Sequence, residues 1–384
     1  MHTDAYYEAD IAIVGGGIAG CTLAMALASS YSVLLIDKLP EPVERVGECL
    51  APAARRVLRK LNLLDPIAAN PGAGLYLPGL GARSCWGSAT VHIVDHLRNP
   101  DGPAWHLNRR EFERRLRAEA AARGVQCLWG MKLLNSHYGN ARWRLHVSSA
   151  TDPAAGRPVA VAAKFVVDAS GRLAGFARQQ AVNRLHYDKL VAHWAILPGS
   201  RAVQMSVISA AESGWWYSAP VPGGKSVVAL HTDPDLVDRQ MVKDPAWFTG
   251  AAQANREMAE ILAGAEGPVE YCGVVAANST RLKRVAGKQW AAVGDAAMSF
   301  DPLSSQGMFN AMAGALQLAD LLLLPGKAPL DDPQYLEQVQ NDYKLQMDRI
   351  WDHYVQHKHT FYNQEQRWKD AVFWKRRAHA KRPS

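Results

Sequence analysis

DIAIVGGGIAGCTLAMALASSYSVLLID, residues Asp10 to Asp37, decides how the rest of this 384-residue chain is read. Ile11–Val14 is a short apolar run. Gly15, Gly17 and Gly20 follow in G-x-G-x-x-G spacing, and Cys21–Ser29 continues with helical character. A second apolar run, Val33–Ile36, ends in Asp37, seventeen residues after Gly20. Strand, glycine turn, helix and acid-ended strand is the order a dinucleotide-binding β-α-β unit requires. Gly15 allows the tight turn, Gly17 lets the backbone approach a pyrophosphate, and Gly20 lets the helix pack on the strand. The helix N-terminus offers unpaired N–H groups to phosphates. Asp37, with the adjoining Lys38, is placed to meet an adenosine ribose, and an acid there argues against NADP in this site.

Working outward, the chain is long enough for two domains. It is 48% apolar and 21% charged, as globular proteins are. His2–Glu8 is polar, so no signal peptide is expected. The most hydrophobic downstream stretch, Met308–Leu324, contains Asn310, Gln317 and Asp320 and is too short and polar to span a membrane. Five cysteines without C-x-x-C spacing point to a reducing, cytoplasmic compartment rather than a disulfide framework or zinc site. His353, His357 and His359 share a helical stretch, but nothing completes a ligand set, so no metal is expected. The net charge is +7, much of it in Lys369–Arg382, which fits an acidic partner better than nucleic acid.

Beyond residue 37, Arg45–Pro52 reads as a loop, Ala53–Leu63 as a helix and Gly72–Gly87 as irregular. Trp105–Arg123 enters as a strand and becomes a charged helix. Val125–Trp129 and Lys164–Asp168 read as strands of the nucleotide domain, with Arg142–Ser149 an alternating strand between them and a loop at Thr151–Pro158. From Leu190 the pattern changes to successive strands, Val191–Leu197, Val203–Ile208, Trp215–Val221, Ser226–His231 and Glu270–Val275, interrupted by a helix at Ala246–Leu262. Pro333–Arg377 reads as two helices. The expected architecture is α/β: a discontinuous Rossmann-like nucleotide domain (1–79, 106–180 and 285–330) with an inserted, mostly antiparallel β-sheet substrate domain (80–105 and 181–284). A helical C-terminal segment (331–384) follows.

Two further pieces complete a pattern. VVDASGR (Val166–Arg172) is a strand ending in a small-residue turn. In VGDAAMSFDPLSSQG (Val293–Gly307), Asp295 ends a strand and Gln306–Gly307 opens a helix whose N-terminal dipole favours negative charge. With the fingerprint, these resemble the FAD-binding flavoprotein monooxygenases of the para-hydroxybenzoate hydroxylase type. The resemblance implies bound FAD, with Asp295 on its ribityl chain and Arg109, paired with Glu113 in an R-x-x-x-E pattern, near its phosphates or ribityl chain. It also implies that the helix opened by Gln306 and Gly307 faces the flavin edge that becomes negative on reduction.

A finer resemblance is to the tryptophan-halogenase branch. It rests on GECLAP (Gly47–Pro52), GDAAMSFDPLSSQG and GWWYSAP (Gly214–Pro220). The last departs from the branch pattern W-x-W-x-I-P: its second Trp is Tyr217 and its Ile is Ala219. The branch also implies a lysine in the first insertion for halogenation, yet Gly79–Asp95 holds no lysine and one cation, Arg83. SCWGS (Ser84–Ser88), Asn99–Leu116 and Phe361–Arg377 resemble halogenase-like flavoproteins that hydroxylate a tryptophan of a partner polypeptide in tryptophylquinone maturation.

The expected function is therefore an FAD-dependent monooxygenase that hydroxylates a tryptophan side chain of a partner protein through a flavin hydroperoxide. Glu48 is the candidate acid or base, and Trp86, Trp216 and Tyr217 are the expected substrate contacts. With no second fingerprint, electrons come from transient NAD(P)H or a separate flavin reductase. No nucleic acid or membrane partner is expected. Lys369, Lys375, Arg376 and Arg377, beside Trp368 and Trp374, read as a basic docking face for the protein substrate. A small-molecule aromatic hydroxylase, a halogenase, a flavin reductase of the geranylgeranyl-reductase type and a non-catalytic flavin scaffold are the alternatives.

Overall fold

A computed structural model describes residues 6–69, 74–96, 99–152, 158–199, 204–238, 244–324 and 330–378. The parts of the readings above that fall on 72–73, 153–157, 203 and 379–382 lie outside these residues.

The opening unit consists of β1 (Tyr6–Val14), α1 (Ile18–Leu27) and β2 (Val33–Asp37). β1 starts before the apolar run because Tyr6–Ala9 pairs in parallel with Ala160–Ala163 of β3 (Val159–Asp168). β1 lies between β3 and β2, with Gln126–Trp129 beyond β2 and Trp290–Ala292 beyond β3. Ile11, Ile13, Leu34, Leu35, Val166 and Val167 are fully buried, the two-sided burial that makes parallel strands read as unbroken apolar runs. Arg142–Ser149 pairs antiparallel with β3 and with Met131–Gly139, a strand the sequence reading did not assign. The charged helix α2 (Arg109–Ala122) follows the strand Ala104–Leu107, and the Asn108 side chain caps it by accepting from the Glu111 N–H.

The second sheet has seven strands in the order 270–276, 191–198, 225–232, 214–221, 205–211, 81–85 and 92–95. All pairs are antiparallel except 205–211 with 81–85. Two of these strands are used below, β4 (Gly214–Val221) and β5 (Lys225–Thr232). The expected helix at 246–262 is two helices, α3 (Pro245–Gln253) and α4 (Arg256–Ala263), each started by its own cap, Asp244 and Asn255. They cover the outer face of the sheet, where Phe248 and Met258 pack on Val207, Val228 and Leu230.

α5 (Gly307–Leu322) packs on α1, and α6 (Pro333–Gln364) and α7 (Val372–Ala378) return across the inner face of the second sheet. Here one sequence reading is overturned. Arg377 is 4% exposed and its Nη2 donates to Asp233 Oδ1 at 2.7 Å, while its guanidinium lies 3.5 Å from the Phe373 ring. Arg376 pairs with Asp233 and Asp235 at 2.9 and 2.6 Å. Trp374 is buried, its indole N–H donating to Ala211 O. The basic, tryptophan-bearing face closes on the second sheet and holds the C-terminal segment down. Only Lys369 and Lys375 of the four basic residues remain exposed without a buried acid.

Candidate cofactor and active site

The glycines of the fingerprint answer to different demands. Gly15 has φ +117°, and a Cβ there would overlap the Ala169 carbonyl; a Cβ on Gly20 would overlap the Gly15 carbonyl. Gly16, which the reading passed over, is forced by the Trp129 ring and Leu35. Gly17 alone meets nothing: a side chain there would enter open space at the start of α1. Three glycines are required by the protein itself, and the fourth keeps a cradle open.

Gly294 joins that cradle to the distant motif. At φ +58° it sits with Ala19 of α1 on one side and Ala311 of α5 on the other, so the starts of both helices and the Gly294–Ala296 turn converge. Neither α1 nor α5 has a side-chain cap or an acid in its first turn, whereas α2, α3, α4 and α6 are each capped by Asn or Asp. Gly307 is exposed, and a Cβ on it would also meet nothing. Two bare helix N-termini and two open glycines make a surface suited to phosphates and to an electron-rich ring edge. The donor set fits a flavin dinucleotide. Asp295 stands in the connecting turn with its side chain 42% exposed and Arg172 Nε 3.6 Å away, leaving carboxylate oxygen available to a polyol.

Asp37 is partly engaged already. Its Oδ2 accepts from the Gly16 N–H at 2.6 Å, its Oδ1 from Leu39 N–H at 2.7 Å, and Arg117 lies 3.3 Å away. Lys38 is exposed. Arg117, unassigned by the sequence reading, is the clamp of this corner. It donates to the carbonyls of Gly16, Leu39 and Pro40 and stacks 4.3 Å from the Trp129 ring. The signal was present in the spacing: Arg109, Glu113 and Arg117 recur every four residues along one face of α2.

Arg109 shapes the neighbouring loop. Its Nη2 donates to Glu113 Oε1 at 2.7 Å and its Nη1 to Gly47 O at 2.6 Å, so α2 holds the GECLAP segment in place. That segment presents Glu48, which is 1% exposed. One carboxyl oxygen accepts from the Gly47 N–H at 3.0 Å; the other, Oε1, has no partner. Burial raises the proton affinity of Glu48, and the facing Tyr217 hydroxyl and Arg109 oppose the rise. Tyr217, on the inner face of β4, has a buried hydroxyl without a hydrogen-bond partner, and burial beside Glu48 keeps it protonated far into alkaline pH.

Strand alternation separates the other expected substrate contacts. Trp216 points outward and packs on Phe248 at 5.4 Å, inside the outer core. It does not share a face with Tyr217, a correction that follows from the two-residue period of a strand. Trp86 lies on the inner side, where its indole N–H donates to Phe361 O and its ring packs edge-on against Trp215, Tyr362 and Trp374. His231 stacks on Trp215 at 3.7 Å and is held neutral by burial, its pKa lowered to about 3.

Behind this wall lies a charged network with no distinct sequence signature. Lys358 of α6 reaches Asp188 at 2.5 Å, Ser279 Oγ at 2.6 Å and Asp301 at 3.6 Å. Burial disfavours its charge, yet Tyr354, Asp301 and Asp188 outweigh that and raise its pKa. Asp301 caps the Pro302–Ser304 turn and accepts from the Tyr362 hydroxyl at 2.8 Å, so the segment leading into α5 is tied to α6. Arg83, the cation of the first insertion, pairs with Glu257 and Glu260 of α4 at 3.2 and 3.4 Å. Among the described residues no cluster of three or more His, Cys, Asp or Glu could hold a metal, and no helix is long and apolar enough to cross a membrane.

Comparison with known proteins agrees with this layout. The family model described as tryptophan halogenase matches residues 95–384, and one described as an NAD(P)-binding Rossmann-like domain matches residues 13–45. LodB of Marinomonas mediterranea, named as an FAD-dependent oxidoreductase, is 28% identical over 373 residues, 96% of each chain. The myxobacterial chondrochloren halogenase CndH superposes with a TM-score of 0.81 at 22% identity, over 97% of this chain and 86% of that one. QhpG, described as a peptidyl tryptophan dihydroxylase essential for tryptophylquinone cofactor biogenesis, gives 0.70 at 21% identity, over 96% and 78%. At these identities the two structures speak for the fold.

Proposed function

Because the chain belongs to the tryptophan halogenase family and is thus an FAD-dependent oxidoreductase, we propose that it is a monooxygenase that hydroxylates a tryptophan side chain within a partner polypeptide. The observation that carries this reading is Glu48: a carboxyl sealed from solvent, one oxygen unpartnered, on the loop that α2 holds beside Tyr217.

The cradle of Gly15, Gly17 and Gly20, the starts of α1 and α5, Asp295, Gln306 and Gly307 would hold FAD, with Asp37 and Lys38 toward its ribose and Arg109 behind the loop. Bound and reduced, FAD would supply activated oxygen; NAD(P)H or a separate reductase would supply the electrons. The chain's own residues supply the rest. Once oxygen has joined an indole carbon, that carbon must lose its hydrogen as a proton for the ring to regain aromaticity. Glu48 can take that proton at Oε1, and burial makes it a stronger base than a solvated carboxylate. The dry inner face, with Trp86 and Tyr217, excludes water from the exchange.

Halogenation is the second reading, favoured by the family match. Against it, the first insertion offers no lysine, and Arg83 is paired with two glutamates of α4. Lys358, the buried amine near the inner face, is held by Asp188, Asp301 and Ser279. The same pairing bears on the substrate. Lys358 is paired with Asp188 and Asp301, and Arg377 with Asp233, so these five charges are engaged with one another rather than open to the ammonium and carboxylate of a free amino acid. A tryptophan already in a polypeptide lacks both charges. QhpG, named for a peptidyl tryptophan, offers a precedent on the same fold.

The test supplies reduced enzyme and O2 with free tryptophan or with a candidate tryptophan-bearing polypeptide, in buffer rich in chloride and bromide, and weighs the products. Added oxygen on the polypeptide alone is expected. Efficient turnover of free tryptophan would reject the polypeptide assignment, and halogenated indole would reject the monooxygenase reading.

A further inference from the structure

We propose that Tyr217 is the positioning residue of Glu48: its hydroxyl, offered from the inner face of β4 to the carboxyl on the GECLAP loop, sets when that carboxyl releases and takes its proton. The proposal deepens the function proposed above and rests on that reading.

The geometry singles out this pair. Glu48 Oε1 and the Tyr217 hydroxyl are both buried and both without a hydrogen-bond partner, and they face each other across the join between the loop and the second sheet. Two polar atoms left open in a dry interior are a cost that folds rarely retain without use. A phenol can donate to a carboxylate, so each is the partner the other can take, and the hydroxyl favours the charged form of the carboxyl. The ring at 217 is set by sheet register, with Tyr217 opposite Ala229 of β5 and Ile208 on the other side. The loop is set separately, by Arg109 gripping Gly47 O. Neither element alone sets how the hydroxyl meets the carboxyl.

The groups around the carboxyl are few. Tyr217 faces it from β4, Arg109 from α2, and Cys49 follows it in the chain. Burial raises the carboxyl's proton affinity; the Tyr217 hydroxyl and Arg109 each favour the carboxylate. Cys49, its thiol pushed up to about 12 by burial and by Glu48, stays neutral. Arg109 is committed to Glu113 and Gly47, which leaves Tyr217 as the group that can follow the substrate and tune the base. A tryptophan at 217 would donate only from its indole N–H, at a different place on a larger ring.

The experiment follows the buried carboxyl in the FAD-loaded protein by infrared pH titration, with no substrate present. Glu48→Gln should delete one protonated-carboxyl band and so identify it. In Tyr217→Phe, which keeps the ring and its packing, the midpoint of that band should rise by about half to one pH unit. Tyr217→Trp should move it in the same direction. The acidic limb of oxygen insertion into the polypeptide should shift with it, to higher pH, with KM little changed and kcat reduced at low pH. An unmoved midpoint in Tyr217→Phe, or no band lost in Glu48→Gln, overturns the proposal. The infrared readouts do not depend on the substrate, so failure of tryptophan hydroxylation alone would leave them standing and point to the reaction assignment instead.

Discussion

Arg117 and Arg377 are the buried arginines among the described residues, and they hold two different regions together. Each lies over an aromatic ring, Arg117 at 4.3 Å from Trp129 and Arg377 at 3.5 Å from Phe373. Arg117 donates mainly to backbone carbonyls, those of Gly16, Leu39 and Pro40, with Asp37 in reach at 3.3 Å. It fixes the shape of a loop whose other side stays open. Arg377 is joined to Asp233, itself 1% exposed and also paired with Arg376. It closes the end of the chain onto the second sheet and leaves nothing open. Guanidinium over a ring serves a ligand cradle in one place and a seal in the other. The difference lies in what the fork bonds: carbonyls that must keep a curve, or a carboxylate that must not be left alone.

That contrast breaks most visibly at the seal. Arg377→Met should cost roughly 3–5 kcal/mol, because Asp233 loses the deeper of its two arginines while staying buried. Urea denaturation would measure it; a change under 1 kcal/mol would mean that Arg376 alone satisfies the acid.

The cradle separates into its two kinds of glycine. Gly20→Ala drives a methyl into the Gly15 carbonyl and should destabilise the apoprotein by roughly 1–3 kcal/mol. A Cβ on Gly17 meets no protein atom, so the Gly17→Val apoprotein should stay within about 1 kcal/mol of the parent while flavin absorbance is lost. A purified Gly17→Val protein that remains yellow would show that the open side of the turn does not receive the cofactor.

The seal should also carry an acid sensitivity of its own. The His231 pKa is lowered to about 3 against an ordinary 6.5, so below pH 6.5 the unfolded chain takes a proton that the folded one refuses. Stability is then present above pH 6.5 and lost as pH falls toward 3, by up to about 1.4 kcal/mol per pH unit. His106, lowered to about 4 by burial, adds to the loss over its own narrower window. His231→Phe keeps a ring on Trp215 and should recover about 1–2 kcal/mol of the loss between pH 7 and pH 5 in paired urea titrations. A parent and variant with parallel pH curves would exclude His231 as a source.

The smallest effect belongs to the exposed remainder of the C-terminal charges. Lys375 sits 3.7 Å from Asp370 with both side chains mostly in water, so Lys375→Ala should change stability by less than about 0.5 kcal/mol. A larger loss in the same denaturation assay would place Lys375 in the seal with Arg376 and Arg377.

The sequence by itself determined the parts governed by near neighbours. The fingerprint turn, α1, the acid at the end of β2 and the strand character of residues 191–231 follow from glycine spacing, apolar runs and the two-residue alternation, all of which act within a few residues. The FAD motifs were legible for the same reason, since a turn that binds phosphate must have its glycines in fixed order. Tertiary structure decided what each side chain meets. Trp216 and Tyr217 read together as substrate contacts, but the pleat sends Trp216 to the outer core and Trp215 and Tyr217 inward. Arg376 and Arg377 read as a docking face because a short basic helix looks the same in sequence whether it faces solvent or acids; Asp233 and Asp235, more than 140 residues away, decided the matter. Lys358 and Asp301 gave no local sign of their shared network for the same reason. Glu48 was visible as a loop acid; that it is sealed, unpartnered at Oε1 and faced by Tyr217 depends on two sheets and α2 meeting, because burial is a property of the assembled layers and not of the segment.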